Sequence, residues 1–262
     1  MIFVKNILMI NSVRNTVLFL LNKDNRGYIS PLEYNHYAKL AQLEIFESYF
    51  SEFARQTQLQ NTRKRSLGYG DMALQVRNKI DVFSTSATLE YTDVQDNNVA
   101  SVGEARDYFT LPSNYYKLIN LTYNGRVLEE IPKGKFDMIM NSNLNVPSVT
   151  YPVFYREGNQ VYARPLSIYY TGTTPQTVNN VVETALICNY LRKPADPIWA
   201  YTTVSGDPVY NQAASTNFEI SENDEVDLII KICKYAGLAI READVVTAMT
   251  SKESLELQTD NT

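Results

Sequence analysis

The sequence predicts an α+β protein, with an N-terminal helical region, a central antiparallel β domain and a C-terminal helix. Three observations carry that reading. Over the first ~80 residues apolar side chains recur every three or four positions, the period of a helix with one buried face. From residue 82 to residue 220 the period changes, and β-branched and aromatic residues alternate with polar ones between turn dipeptides. After Ser221 the spacing of three to four returns. The expected organisation is a helical region over 1–81, an antiparallel β domain over 82–220, a helix over 221–250 packing back on the helical region, and a flexible polar tail over 251–262.

The helices are read from their spacing and their ends. In the opening segment Ile10, Val13, Val17 and Leu20 or Leu21 fall on one stripe, while Lys5, Asn6, Asn11, Ser12, Arg14 and Asn15 interrupt the apolar run. A membrane span needs about 20 mostly apolar residues, so the segment reads as an amphipathic helix instead. A second helix begins at Ser30-Pro31-Leu32-Glu33. Ser30 is placed to cap it, Pro31 suits the first helical position, and Glu33 completes a capping box. Tyr34, Tyr37, Ala41, Ile45, Tyr49 and Phe53 then form one face, and the pattern extends to about Gln60. A third helical stretch runs from Asp71 to Ile80, with Ala73, Val76 and Ile80 on one side. At the C-terminal end Ser221 is a cap, and Glu222, Asp224 and Glu225 favour the positive end of the helix dipole. Val226, Ile229, Ile230, Cys233, Ala236 and Ile240 are expected to be that helix's apolar face, with Gly237 a weak point.

The β region offers two hairpins. Lys117 to Tyr123 and Arg126 to Ile131 flank Asn124-Gly125, the favoured pair for a type I′ turn. Val153 to Tyr155 and Gln160 to Ala163 flank Glu157-Gly158-Asn159. Lys135 to Asn141 suits one or two helical turns, and Val181 to Leu191 a long strand ending at Arg192-Lys193-Pro194.

Composition narrows the function. A net charge of −5 and a pI of about 5.1 do not suit a dedicated nucleic-acid binder, which needs a basic face. The two cysteines, Cys188 and Cys233, form no CxxC pair and no disulfide framework, and read as buried free thiols. Nineteen tyrosines accompany one Trp and one His. Tyrosine joins an apolar body to a polar tip, which suits half-wet protein interfaces as well as ordinary strands.

Motifs for chemistry are sparse. His36 is the only histidine and lies inside the second helix with no GxSxG elbow in the sequence, so no triad and no histidine metal site is read around it. Gly68-Tyr69-Gly70 lacks the third glycine and the preceding strand of a dinucleotide loop. Asp93 and Asp96 in a polar loop, and Glu129-Glu130 beside a hairpin, read as solvated carboxylates. Arg63-Lys64-Arg65 is the only basic run, too small a footprint for a nucleic-acid backbone. Asn22 to Glu33 matches a calcium loop, with Asn22, Asp24, Arg26, Gly27, Ile29 and Glu33 at its key positions. Arg26 cannot ligate a cation, however, and the capping box with a Gly27 helix end explains the same residues without metal. No catalytic, cofactor-binding or metal-binding residue is assigned, and the question of calcium at Asn22–Glu33 stays open.

Several stretches carry a resemblance. Asn22 to Pro31, with Glu33-Tyr34-Asn35 and the helix Ala41 to Phe46, is similar to virion proteins of crAss-like phages, and most of all to the ring proteins that continue the portal into the tail. Phe109-Thr110-Leu111-Pro112 with its following hairpin, Val161 to Pro165, and Tyr190 to Pro194 with Pro197 and Trp199 resemble the β domain of short-tailed-phage adaptors of the tail tubular A type. The resemblance implies a structural head–tail connector without enzymatic activity. It further implies a dodecameric ring docked on a portal protein, further ring or tail proteins below, and a lumen that passes double-stranded DNA without reading it. Residence in the virion after synthesis in the host cytoplasm, with no membrane partner, follows from it. In that setting the Tyr34–Phe53 face is expected to pack between subunits or on the portal. Two other readings stand beside this one: a carbohydrate- or receptor-binding tail module using tyrosines on a sheet, and a hydrolase with paired carboxylates in the β domain.

Overall fold

The structure, a computed structural model, describes residues 3–21, 29–63, 71–92, 107–142, 144–165, 168, 177–178, 181–182, 186–240 and 251. The fold is α+β, and the chain divides into a helical unit formed by residues 1–82 with 194–262, and a β unit formed by residues 83–193. The β unit thus closes at 193, where the alternating pattern suggested 220. Residues 194–220 carry a strand pair of their own, but the segment belongs to the helical unit: Gln42 donates to the Ala195 carbonyl, Asn35 to the Trp199 carbonyl, and the Ile10 N–H to Asn217 Oδ1.

In the helical unit α1 (Phe3–Leu21), α2 (Pro31–Arg63), α3 (Met72–Asp81) and α5 (Glu225–Ile240) pack together, α2 against α3 and α5 and α1 against α5. The stripe read from spacing is buried on α1 at Ile10, Val13 and Val17, but Leu20 is exposed. The capping box of α2 is formed: the Ser30 backbone N–H donates to Glu33 Oε2 at 2.9 Å, and the Glu33 N–H donates to Ser30 Oγ at 3.3 Å. Asp71 caps α3 by accepting from the Leu74 N–H, and Ala73, Val76 and Ile80 are buried as the spacing requires. On α5 the buried face is Leu228, Ile232, Cys233 and Ala236, with Ile230 buried beside it. Val226 is exposed there, in the first turn of the helix, directly after the 3-10 turn Glu222–Asp224.

The β unit holds two sheets around one core. The first has the order β1 (Ser84–Thr88), β11 (Ile187–Arg192), β4 (Tyr115–Tyr123), β5 (Arg126–Val127). The second has β2 (Glu90–Thr92), β3 (Tyr108–Thr110), β8 (Gln160–Arg164), β7 (Val153–Glu157), β6 (Glu129–Glu130). Leu121, Cys188 and Tyr190 from the first sheet meet Phe109, Phe154, Val161 and Ala163 from the second. A helix, α4 (Lys133–Met140), covers the outer side of the second sheet by setting Phe136 against Val153 and Tyr155. The strand pairs β9 (Thr177–Val178) and β10 (Val181–Val182) form a separate ribbon.

Both expected hairpins are present, with one rearrangement. Asn124 and Gly125 have φ of 50° and 71°, the type I′ pattern, and set Tyr123 opposite Arg126. The second arm does not run on to Ile131. After Val127 it leaves the first sheet, and Glu129–Glu130 pair with β7 as the one parallel pair of the second sheet. Leu128 explains the crossing: it is buried in the shared core, which pulls the chain from one sheet to the other. The segment expected as one strand over 181–191 is likewise two elements, β10 and β11.

Cys188 and Cys233 are buried, free and in different units. Burial pushes each thiol up to about 11. Both then favour folding while the unfolded thiol is still protonated, below about pH 8.5–9. That contribution fades as pH rises toward 11, because the unfolded chain ionises first. The urea midpoint is expected to fall steadily above pH 9, and the fall to be shallower in a Cys188→Ala, Cys233→Ala double variant. Equal slopes in the two proteins would show that the thiols take no part.

Candidate assembly surfaces

The helical unit builds one feature that the strand pattern did not reveal. Trp199, the only tryptophan, is buried where α1, α2 and the chain after Pro194 meet. Its indole Nε1–H donates to Asn11 Oδ1 at 3.0 Å. Its backbone N–H donates to Asn35 Oδ1 at 2.8 Å, and Asn35 Nδ2 returns a bond to the Trp199 carbonyl at 3.3 Å. The Arg14 guanidinium lies 3.8 Å from the ring centroid, a cation–π contact inside a largely buried setting. Tyr201 and Tyr210 stack on the same indole at 5.9 and 5.6 Å.

From that anchor rises a two-stranded ribbon, β12 (Tyr201–Val204) and β13 (Asp207–Tyr210). Ser205 and Gly206 turn it with φ of 54° and 95°, and Ser-Gly between Thr/Val and Pro/Val residues is the signal that would have located it in the sequence. All four residues of β12 are exposed. A ribbon this small has little core of its own, and the Trp199 stack is what holds its base.

Near it, the first turns of α2 and residues 196–198 enclose an open groove of about 530 Å³. Leu32, His36, Tyr37, Pro197 and Ile198 line it, and a Lys39–Asp196 ion pair of 2.7 Å stands on its rim. His36 is solvent-exposed there. In the β unit the exposed large apolar side chains include Met138 on α4, at 76%, and Leu144 and Tyr151 in the segment after it, at 94% and 77%.

The aromatic face of α2 is used differently from its expected role. Tyr34, Ala41, Ile45 and Tyr49 are buried inside the helical unit, and only Tyr37 and Phe53 are half-buried. Tyr34 donates to the Ile10 carbonyl at 3.2 Å and Tyr49 to Asp224 Oδ2 at 2.6 Å. Most of this face is committed to α1 and α5, so those residues are core and not the packing surface expected, and only Tyr37 at the groove and Phe53 stay within reach of a neighbour. The periodicity marked it as buried but could not tell burial within a chain from burial between chains.

The described carboxylates are mostly engaged. Asp224 accepts from Tyr49 and from Lys79 Nζ at 2.7 Å. Glu44 accepts from Lys231 at 2.8 Å and from Tyr235 at 2.7 Å. Asp107 is fully buried and accepts from Tyr91 at 2.7 Å, while Lys133 pairs with Glu157. Glu129 and Glu130 are exposed, as expected of solvated groups. The tyrosines of the second sheet turn their faces on each other: Tyr155 and Tyr162 stack at 4.7 Å with 5° between planes, and Phe136 closes on Tyr155 at 4.6 Å. Rings stacked in this way do not lie flat as a sugar platform.

Residues 22–28, 64–70, 93–100 and 252–262 lie outside the described residues, and with them most of the calcium-like loop, Lys64-Arg65, Gly68-Tyr69-Gly70, Asp93, Asp96 and most of the C-terminal tail. Among the described residues no three His, Cys, Asp or Glu side chains converge as metal ligands, and no helix is long and apolar enough to cross a membrane. Glu33, the last residue of the calcium-like loop, has its carboxylate on Ser30, whose N–H and hydroxyl bonds hold it below the usual carboxylate range. Glu33→Gln keeps an acceptor for the Ser30 N–H, so the thermal midpoint is expected to stay within about 1 °C, a change well under the ~1 kcal/mol worth of a cap. A calcium-dependent midpoint lost in this variant would assign the carboxylate to a metal instead.

No protein-family model matches the sequence, and no curated protein matches it.

Proposed function

We propose that this chain is the subunit of a ring-forming head–tail connector, docked on a portal protein and extending the DNA channel into a phage tail. The observation that carries the reading is the set of large apolar side chains left exposed on each unit: Leu32 and Ile198 together at the groove, and Met138, Leu144, Val146 and Tyr151 on α4 and in the segment after it. Monomeric proteins seldom leave a large apolar surface uncovered. A ring covers them by burying two different surfaces of each subunit against its neighbours, and an axial partner covers the rest. The chemistry of the chain suits the same role. Its buried carboxylates Asp107 and Asp224 are held by structural partners, and its net charge of −5 gives a channel wall that repels phosphate and lets DNA slide. The resemblance of Asn22–Phe46 and Phe109–Trp199 to ring and adaptor proteins supplies the portal and the tail as neighbours.

The test is a reconstruction of the portal vertex of virions that contain this chain, with symmetry relaxed below that of the capsid. A closed ring between portal and tail, with Leu144 and Tyr151 buried against neighbours, is the expected result. Density for the chain in a fibre, or away from the vertex, overturns it.

A further inference from the structure

The two sheets and the β12–β13 ribbon expose strand edges, and exposed edges in soluble proteins are usually guarded by charge, proline or brevity. Most edges here are guarded. β5 has two residues, one of them Arg126; β2 has three, with Glu90; β6 is Glu129–Glu130; and β13 contains Pro208. Two edges are not. β1 reads Ser-Thr-Ser-Ala-Thr and β12 reads Tyr-Thr-Thr-Val, with neither a charge nor a proline between them.

The hydrogen-bond alternation of antiparallel pairs fixes which backbone groups face outward. At the ends of β1 the Leu89 N–H donates to the Leu186 carbonyl and the Arg192 N–H to the Phe83 carbonyl. Odd-numbered residues therefore bond to β11, and Ser84, Ser86 and Thr88 turn their N–H and C=O groups to the open side. In the ribbon the Asn211 N–H donates to the Ala200 carbonyl, so Thr202 and Val204 face β13 while Tyr201 and Thr203 face out. Pro208 is opposite Thr203, which puts its missing N–H on the far edge. The proline thus closes β13 and leaves β12 open.

We propose that β12 of one copy adds to the open edge of β1 in the next copy, as the main-chain contact that builds the ring. The inference rests on the connector reading. The two edges are similar in length, four residues against five, and neither carries a charge that would reject the other. They are also different edges, one from each unit. Pairing one with the other is heterologous and propagates around a ring, whereas pairing an edge with itself stops at a dimer.

The full-length chain tests this through Thr203→Pro and Ser86→Pro. Each removes an outward N–H that the chain's own ladders do not use, so circular dichroism and thermal midpoint are expected to match the wild type. By mass photometry the wild type forms closed rings and each variant alone is monomeric. An equimolar mixture of the two variants stops at dimers, because only one good edge pair remains. Rings from either variant alone overturn the pairing and leave the connector reading standing. Dimers from either variant alone overturn it in favour of self-pairing. A wild type that stays monomeric at every concentration removes the connector reading, and this pairing with it. If a proline variant loses its fold, Thr203→Glu and Ser86→Glu each put a charge on one of the two edges, the guard that exposed strands use, and carry the same expectations.

Discussion

Trp199→Ala is expected to destabilise the helical unit by about 3–5 kcal/mol, the range for emptying a buried tryptophan site. The cost has several sources in one place. The indole volume is lost from the junction of α1, α2 and the ribbon. Asn11 Oδ1 loses the donor it accepts from at 3.0 Å, and the Arg14 guanidinium loses the ring 3.8 Å beneath it. Tyr201 and Tyr210 lose the surface on which they stack, so the base of the ribbon loosens as well. Trp199→Phe is expected to recover about half of the loss, since an aromatic ring fills most of the space while the Asn11 bond stays broken. Urea unfolding followed by circular dichroism measures both, because the variants lack the chain's only tryptophan fluorophore. A Trp199→Ala midpoint indistinguishable from the wild type would remove the indole as the anchor. If ring assembly proceeds through β12, this variant also assembles poorly although Trp199 itself is buried.

Asp224→Ala is the second large effect, expected at about 2–4 kcal/mol. Asp224 is at the start of α5 and receives Tyr49 Oη from α2 at 2.6 Å and Lys79 Nζ from α3 at 2.7 Å. Its side chain is 11% exposed and that of Lys79 28%, so the pair is neither fully desolvated nor freely screened. Removing the carboxylate strands a largely buried phenol and an ammonium together, which costs more than the net worth of the bonds. Burial, and then the Asp224 bond, hold the Tyr49 phenol well above its usual range. A cycle with Lys79→Met separates the pair: the double variant is expected to be less destabilised than the sum of the singles by about 1–2 kcal/mol. Trp199 fluorescence reports the transition of the same unit. Strict additivity would show that Lys79 and Asp224 do not stabilise each other.

These sites also show where the sequence could be read and where it could not. The Ser30–Glu33 capping box and the Asn124-Gly125 turn are local, with every partner within three residues, so residue identity and spacing were enough. The buried stripes of α1, α2 and α3 were legible for a related reason, since a helix repeats its face every turn. The start of α5 was not, because spacing shows a helix's apolar face but not how far along it a distant surface reaches to cover it, and Val226 in the first turn is exposed. Nothing in the spacing of Asn11, Arg14, Asn35 and Trp199 announces that they meet, because their contacts span up to 188 residues.

The sequence by itself determined the class of the fold, the cap that starts α2, and the turns of its hairpins. Only the tertiary structure decided how those elements were used. It turned the tyrosine face of α2 inward, sent the strand after Leu128 to the second sheet, gave residues 194–220 to the helices, and left β1 and β12 as the open edges. The physical reason is one of range. Caps, turns and periodicity are set by neighbours a few bonds away, whereas burial and edge pairing depend on which distant surface arrives to cover them, and a single strand of letters does not carry that.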